Sequence, residues 1–431
     1  MTTPQLSRRT VLGALGASAL LPALLPALTR AADTATATAD AWPEFRGPTA
    51  MGLSSAKAVP TQWSADQHLA WKSPLPGQGW SSPVVASGKV YLTAAVRDKG
   101  VSLGAACLDL ATGKVLWDTP VFQPPAQQVA VMHRKNTLAS PTPVVTADRL
   151  FVHFGHMGSA ALDLAGKIVW KQSDLAYPPT HGNGSSPVLA AGGVVFSADA
   201  QSDPFPASLD QATGKVKWKT ARRGGAAKSK FSFATPLLIT VGDRPQLISP
   251  ASGYVAAYDP VTGAEIWRVE YGAGYSVVPR PAFAHGLVFA CSGFDRATLY
   301  AIKADGAKGD VTGSHVAWRL TKNAPLTPSP LVVGDELYVV SDNGFATCCD
   351  ARTGAVHWSQ RLGGNFSASP VAAAGHVYFQ SEQGVGHVVK AAKTFTPVAE
   401  NVLKERTLAS YAVIEGGLLI RTESGLVRVK A

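Results

Sequence analysis

The stretch SLDQATGKVKW, residues 208–218, holds the element on which the fold turns. Its aspartate can bond back to the turn backbone and its glycine can take a positive φ. The strand that follows then returns antiparallel, with a tryptophan four residues past the glycine. The spacing recurs as Gly113 with Trp117, Gly166 with Trp170, Gly263 with Trp267 and Gly354 with Trp358, and Gly313 with Trp318 is one residue wider. Self-similarity of this kind marks a repeat architecture. Upstream of each turn lies a hydroxyl–proline dipeptide that opens a short apolar strand. The copies are Ser82-Pro83, Thr142-Pro143, Ser186-Pro187, Thr235-Pro236, Ser329-Pro330 and Ser369-Pro370, with Arg280-Pro281 and Ser410-Tyr411 as variants. A second apolar strand follows across a glycine turn, as in VVASGKVYLTA (84–94), which is hairpin chemistry.

Four short antiparallel strands in a unit of about 40 to 50 residues make a propeller blade. Eight strand openings therefore predict an all-β protein, an eight-bladed β-propeller of four-stranded antiparallel blades. The last unit has three strands only, in LASYAVI (408–414), GGLLIRT (416–422) and LVRVK (426–430). The missing fourth is available in HLAWKSPL (68–75), a tryptophan-bearing strand with no unit ahead of it. The ring is thus expected to close by pairing the N-terminal strand with the C-terminal blade, which removes open sheet edges. The seventh unit departs, because VVKAAKTFTPVAENV (388–402) has neither turn glycine nor tryptophan. The expected division is a leader over 1–32, a lead-in over 33–67 and the propeller over 68–431.

The leader reading rests on Ser7-Arg8-Arg9-Thr10-Val11-Leu12 followed by the uncharged apolar run 13–28, which Pro22 and Pro26 interrupt. A twin arginine ahead of a short apolar region is a twin-arginine export signal peptide, so the mature chain is expected in the periplasm or secreted, with no stable membrane span. Cleavage is expected between Thr29 and Ala39, and no cysteine precedes Cys107 to carry a lipid. Four cysteines in an exported chain of 431 residues imply stability from a packed core, not a disulfide framework. Loss of the leader removes three arginines and no acid, taking the net charge from +10 to +7. The basic balance favours anionic partners weakly.

The pattern Ala-x-Asp-x-x-Thr-Gly-x-x-x-Trp resembles the tryptophan-docking repeat of the quinoprotein dehydrogenase-like eight-bladed propellers, the PQQ-like repeat family, across residues 68–431. That family holds pyrroloquinoline-quinone alcohol dehydrogenases and also non-enzymatic members, such as the propeller lipoprotein of the outer-membrane barrel assembly machinery. The lead-in WPEFRGP (42–48) resembles the N-terminal segment of exported proteins with these repeats. The resemblance implies a fold firmly and a function loosely. We expect an exported non-catalytic binding or scaffold module, a monomer, that engages a protein or a small anionic ligand and no nucleic acid. The alternative is a small periplasmic quinoprotein oxidoreductase with pyrroloquinoline quinone and calcium. Such a site needs convergent oxygen ligands. Asp98, Asp199, Asp203, Asp295, Asp342, Glu382 and Glu423 are instead spread about one per blade and read as turn residues in water, so no cofactor and no metal are expected.

Cys348 and Cys349 occupy successive strand positions, aligned with a small-residue slot (Cys107, Ala161, Ser208, Ala257, Ala301) and a large apolar slot (Leu108, Leu162, Leu209, Tyr258, Ile302). Successive strand residues face opposite ways, so the two thiols are expected in two different blade interfaces. The dehydrogenases carry a vicinal disulfide against their quinone, in a loop over the cofactor; here the pair lies inside a repeat strand.

The connectors that enter each first strand are expected to gather at one mouth of the channel, where loops converge over rigid blades. They are rich in bases, and His133, Arg134, His181, Lys230, Tyr275 and Arg406 are the candidate ligand-binding residues. Arg280 joins them, because it alone breaks a position that is Ser or Thr in the other seven blades. A guanidinium aimed at the channel mouth would hold a carboxylate or phosphate. No catalytic or metal-ligating residue is expected; His153 and His156 lack a third ligand.

Overall fold

Each hydroxyl–proline dipeptide opens the innermost strand of one sheet, and eight sheets stand around a central channel. The computed structural model describes residues 1–2, 40–129, 131–175, 177–223 and 226–431. The twin arginine and its expected cleavage site lie outside these. Blade 1 runs from Val84 to Phe122, blade 2 from Val144 to Gln172, blade 3 from Val188 to Lys219 and blade 4 from Leu237 to Glu270. Blades 5, 6 and 7 span Ala282–Leu320, Leu331–Arg361 and Pro-free inner strand Val371–Ala373 through Val402. Blade 8 takes three strands from Ala412–Lys430, and Leu69–Pro74 adds the fourth, antiparallel to Gly425–Lys430 with Lys72 opposite Val427. Blade 4 gains a two-residue fifth strand, Gly309–Asp310, parallel to Glu265–Glu270.

The turn and tryptophan motif works between blades. Each tryptophan lies on the turn glycine of the next blade: Trp71 on Gly113, Trp117 on Gly166, Trp170 on Gly214, Trp218 on Gly263 and Trp318 on Gly354. Each indole N–H also donates to a carbonyl of that neighbour's turn, as Trp71 Nε1 does to Leu110 O at 3.0 Å and Trp170 Nε1 to Gln211 O at 2.9 Å. These glycines have φ between 72° and 89°, and a methyl at Gly263 would come within 2.6 Å of the Trp218 ring. Two copies depart from the spacing rule. Gly313 receives no indole, and Trp267 is instead fully buried and donates to Gln246 within its own blade, because the inserted strand at 309–310 covers it. Blade 7 holds Ala399 opposite Val388, where other blades place the tryptophan. The reason is the closure: blade 8 takes its outer strand from the other end of the chain, so it has no turn there to receive an indole.

The lead-in fills that gap. Trp63 is buried at the junction of blades 7 and 8, edge-on to Tyr411 at 6.3 Å, with Ala56, Val59, Leu403 and Val413 in the same apolar cluster. Ser54 N–H donates to Ala372 O, and Glu415 accepts the backbone N–H groups of Lys57 and Ala58. Upstream, Trp42 exchanges both backbone hydrogen bonds with Val85 of blade 1, and Pro43 O accepts from Val145 of blade 2. Residues 41–67 are thus part of the propeller core and cross from blade 1 to blade 8.

The cysteine pair divides as its strand position requires. Cys348 packs with Tyr338, Val377 and Phe379 between blades 6 and 7, and Cys349 with Phe289, Ala301 and Leu337 between blades 5 and 6. Both are fully buried, and burial pushes each thiol up to about 12.

Candidate functional site

The hydroxyls of the dipeptides form a ring. The backbone N–H of Ser82 donates to Thr142 Oγ1, Thr142 to Ser186, Ser186 to Thr235, Arg280 to Ser329, Ser329 to Ser369, Ser369 to Ser410 and Ser410 back to Ser82, at 2.9–3.2 Å. This is why the position is Ser or Thr: each hydroxyl satisfies a buried N–H of the preceding blade. Arg280 interrupts the circuit, since it has no hydroxyl to offer Thr235.

Above the ring the channel widens into a funnel of about 570 Å³, and Phe45 of the lead-in stands at its floor. One wall is an arc of rings, His133, His181, Phe231, Tyr275 and Phe294, with successive centroids 5.5 or 5.6 Å apart and edge-to-face. Phe294 leaves half of its surface in solvent at the rim. The opposite wall is polar. Lys135 bridges Glu382 (2.8 Å) and Asp342 (3.6 Å), and Arg406 lies over the Trp80 ring while reaching Glu423 at 3.9 Å. Burial works against the Glu382 charge, but hydrogen bonds from Lys135 and Ser367 overcome it and hold the carboxyl below its ordinary value. Burial, then neighbouring His181, Arg134 and Lys135, lowers His133 from its ordinary value.

The structure gathers His133, His181 and Tyr275 in the funnel. Arg134 is exposed at the rim, its carbonyl accepting from Arg406, and Lys230 is exposed with its backbone N–H on Gln201, outside the funnel lining. Arg280 is a correction. Its side chain is fully buried and runs away from the mouth: Nε donates to Pro236 O, Nη1 to Phe45 O, and Nη2 pairs with Glu44 at 3.1 Å. A charge so deeply buried requires an internal partner, and the lead-in supplies it. Of the cations at the channel mouth, Lys135 and Arg406 are paired with carboxylates, and Arg134 and Lys230 are exposed. Nor are the acids all turn residues in water. Asp199 is buried against Arg222 at 2.5 Å, and Asp342 spends its oxygens on Leu326 N–H, Thr327 N–H and the Thr327 hydroxyl.

These donors fit a calcium ion with its quinone poorly, since Asp342 and Glu382, the carboxylates nearest the funnel, are engaged by protein N–H, O–H and ammonium groups. Among the described residues there is no group of three His, Cys, Asp or Glu placed to hold a metal, and no helix is long and apolar enough to cross a membrane. His153 is buried and stacked on Phe196, and His156 bonds Gln128 O and Asn183.

The sequence reading missed Trp80, Lys135, Phe231 and Phe294. Phe231 closes the basic connector 221–231, where the count of charges drew attention away from its one ring. Phe294 lies on the loop between the second and third strands of blade 5, where no repeat motif singles it out.

The family profile of outer membrane protein assembly factor BamB matches residues 53–221 and 297–394. The chain belongs to this family. It is 27% identical over 169 residues to outer membrane protein assembly factor BamB of Shewanella oneidensis, a match spanning 36% of this chain and 38% of that protein. In fold it is similar to BamB from Moraxella catarrhalis, with a TM-score of 0.53 and 16% identity over 84% of this chain and 94% of that one. It is also similar in fold to the computationally designed Ika8 protein, with a TM-score of 0.57 and 12% identity over 83% of this chain and 98% of that one. Residues 222–296, which carry Phe231, Tyr275, Arg280 and Phe294, fall between the two stretches that match the BamB profile.

Proposed function

We propose that this chain is an exported, non-catalytic scaffold that engages a protein partner through the funnel mouth, as a BamB-family propeller acting outside the inner membrane. The observation that carries the reading is the rim itself, where exposed Phe294 continues an aromatic wall and, across the funnel, Lys135 and Arg406 are paired with carboxylates. Such a rim offers apolar area for a partner's side chains, which is how the centre of a protein interface gains affinity. The family name, a factor in assembling outer-membrane proteins, supports a protein partner. The sequence supports export through Arg8 and Arg9.

The test places a photo-crosslinking side chain at Phe294 and, separately, at His285 in the turn between the first two strands of blade 5. In the native host a discrete partner adduct is expected at 294 and none at 285. Equal labelling at both positions would contradict the reading. Arg8→Lys with Arg9→Lys tests export: unprocessed chain should accumulate in the cytoplasm, and normal processing would exclude the twin-arginine route.

A further inference from the structure

The hydroxyl ring has a second face. Ser82, Thr142, Ser186, Thr235, Ser329, Ser369 and Ser410 all line the funnel, and each is nine-tenths or more buried. Each accepts the N–H of a hydroxyl-bearing neighbour except Ser329, which is reached from Arg280. Accepting along the circumference leaves the O–H hydrogen to point elsewhere. Of these seven ring hydroxyls, Ser369 gives its hydrogen to another side chain of the ring, Ser329 at 3.0 Å. The other six hydroxyls line the funnel with their hydrogens not used by another side chain among the described residues.

Beneath the ring the charges are unequal. Arg280 Nε bonds the carbonyl of Pro236 and Arg46 Nη2 that of Pro330, the residues directly after ring members Thr235 and Ser329. Two buried guanidinium groups therefore back the throat, while Glu44 is the carboxylate that pairs with Arg280. Arg46 Nε and Nη1 have no hydrogen-bond partner, and no carboxylate pairs with this side chain among the described residues. Hydroxyls lining one cavity, backed by two buried guanidinium groups and one carboxylate, favour a bound anion. The wall above is apolar and aromatic, which selects what the anion is attached to.

We propose that the throat of the funnel is a binding site for an amphipathic monocarboxylate, whose carboxylate accepts from the ring hydroxyls and whose aromatic or other flat apolar body lies against Phe231, Phe233 and Tyr275. The throat opens into the funnel of about 570 Å³, room for a small molecule. It concerns the throat and not the rim, and does not rest on the scaffold reading.

The probe is 1-naphthoate, titrated calorimetrically into the full chain beside 1-naphthalenemethanol, which keeps the ring system and loses the charge. Naphthoate should bind at least about tenfold tighter, the scale of one charge-assisted hydrogen bond. Phe231→Ala should weaken both probes about tenfold or more, whereas Thr235→Val should reduce the preference for acid over alcohol while the protein still melts cooperatively. Equal affinity for the two probes in the unmutated protein would overturn the proposal without recourse to any variant. So would absence of binding by naphthoate at millimolar concentration, or binding that Phe231→Ala leaves unchanged. Crosslinking from position 294 in the same preparation reports on the rim, so failure of one reading is visible apart from failure of the other.

Discussion

Arg280 and Glu44 are 236 residues apart in the chain and 3.1 Å apart in space, with side chains 0% and 3% exposed. A solvated guanidinium would leave the melting temperature nearly unchanged on removal. Here Arg280→Ala strips a buried carboxylate of its cation and should cost about 3 to 5 kcal/mol. Thermal melts of Arg280→Ala, Glu44→Ala and the double variant test this: the double should lose clearly less than the two singles together. The sequence made Arg280 conspicuous by breaking a ring of hydroxyls, but which way the side chain points depends on a lead-in that no local spacing brings near it. Cys348 and Cys349 were legible, because strand alternation alone decides their faces, and Cys348→Ala should cost about 1 kcal/mol or less in the same assay. His153 adds a pH dependence. It is buried on Phe196 with Nδ1 2.8 Å from Ser159 Oγ, and burial, aided by His156, lowers it from 6.5 to about 3. The unfolded chain takes up that proton below pH 6.5 and the folded chain does not. Stability from this group is therefore held above pH 6.5 and lost progressively as pH falls from 6.5 toward 3. Melting temperature against pH should show a shallower acid slope in His153→Phe than in the unmutated protein; identical slopes would contradict the assignment.

At the scale of the element, the turn glycine serves two purposes that a matched pair of substitutions can separate. Gly263 and Gly286 both have φ of 72°, but a methyl at Gly263 meets the Trp218 ring within 2.6 Å and a methyl at Gly286 meets nothing within 4 Å. Gly286→Ala should lose only the backbone strain, about 1 to 2 kcal/mol. Gly263→Ala should lose that and the docking of Trp218 as well, with a visibly larger fall in melting temperature. Equal losses would mean that the indole contact contributes nothing. The motif was readable because aspartate, glycine and tryptophan recur at fixed spacing. The exceptions at Gly313 and in blade 7 were visible as departures but not as causes, since one arises from a two-residue inserted strand and the other from how the ring closes.

For the whole molecule, eight blades and the strand that completes the last were countable from the sequence, because each blade announces itself with a dipeptide and a turn. The funnel was only half legible. Its position followed from connector order, and its aromatic character did not, because rings from four blades become neighbours only once the circle is drawn. The path of residues 41–67 through the core was not legible either, since WPEFRGP has no periodicity from which contacts follow. This segment and the strand after it are the clasp of the ring: Trp42 on blade 1, Glu44 on Arg280, Trp63 between blades 7 and 8, and Leu69–Pro74 in blade 8. The most direct measurement compares chains beginning at residue 41 and at residue 76 by size-exclusion chromatography with light scattering, with and without a peptide of residues 41–75. The chain from residue 41 should be monomeric, the chain from residue 76 should aggregate through an open blade edge, and the added peptide should restore a monomer of ring size. A chain from residue 76 that stays monomeric, with an unchanged melting temperature and no uptake of the peptide, would contradict the closed, clasped ring.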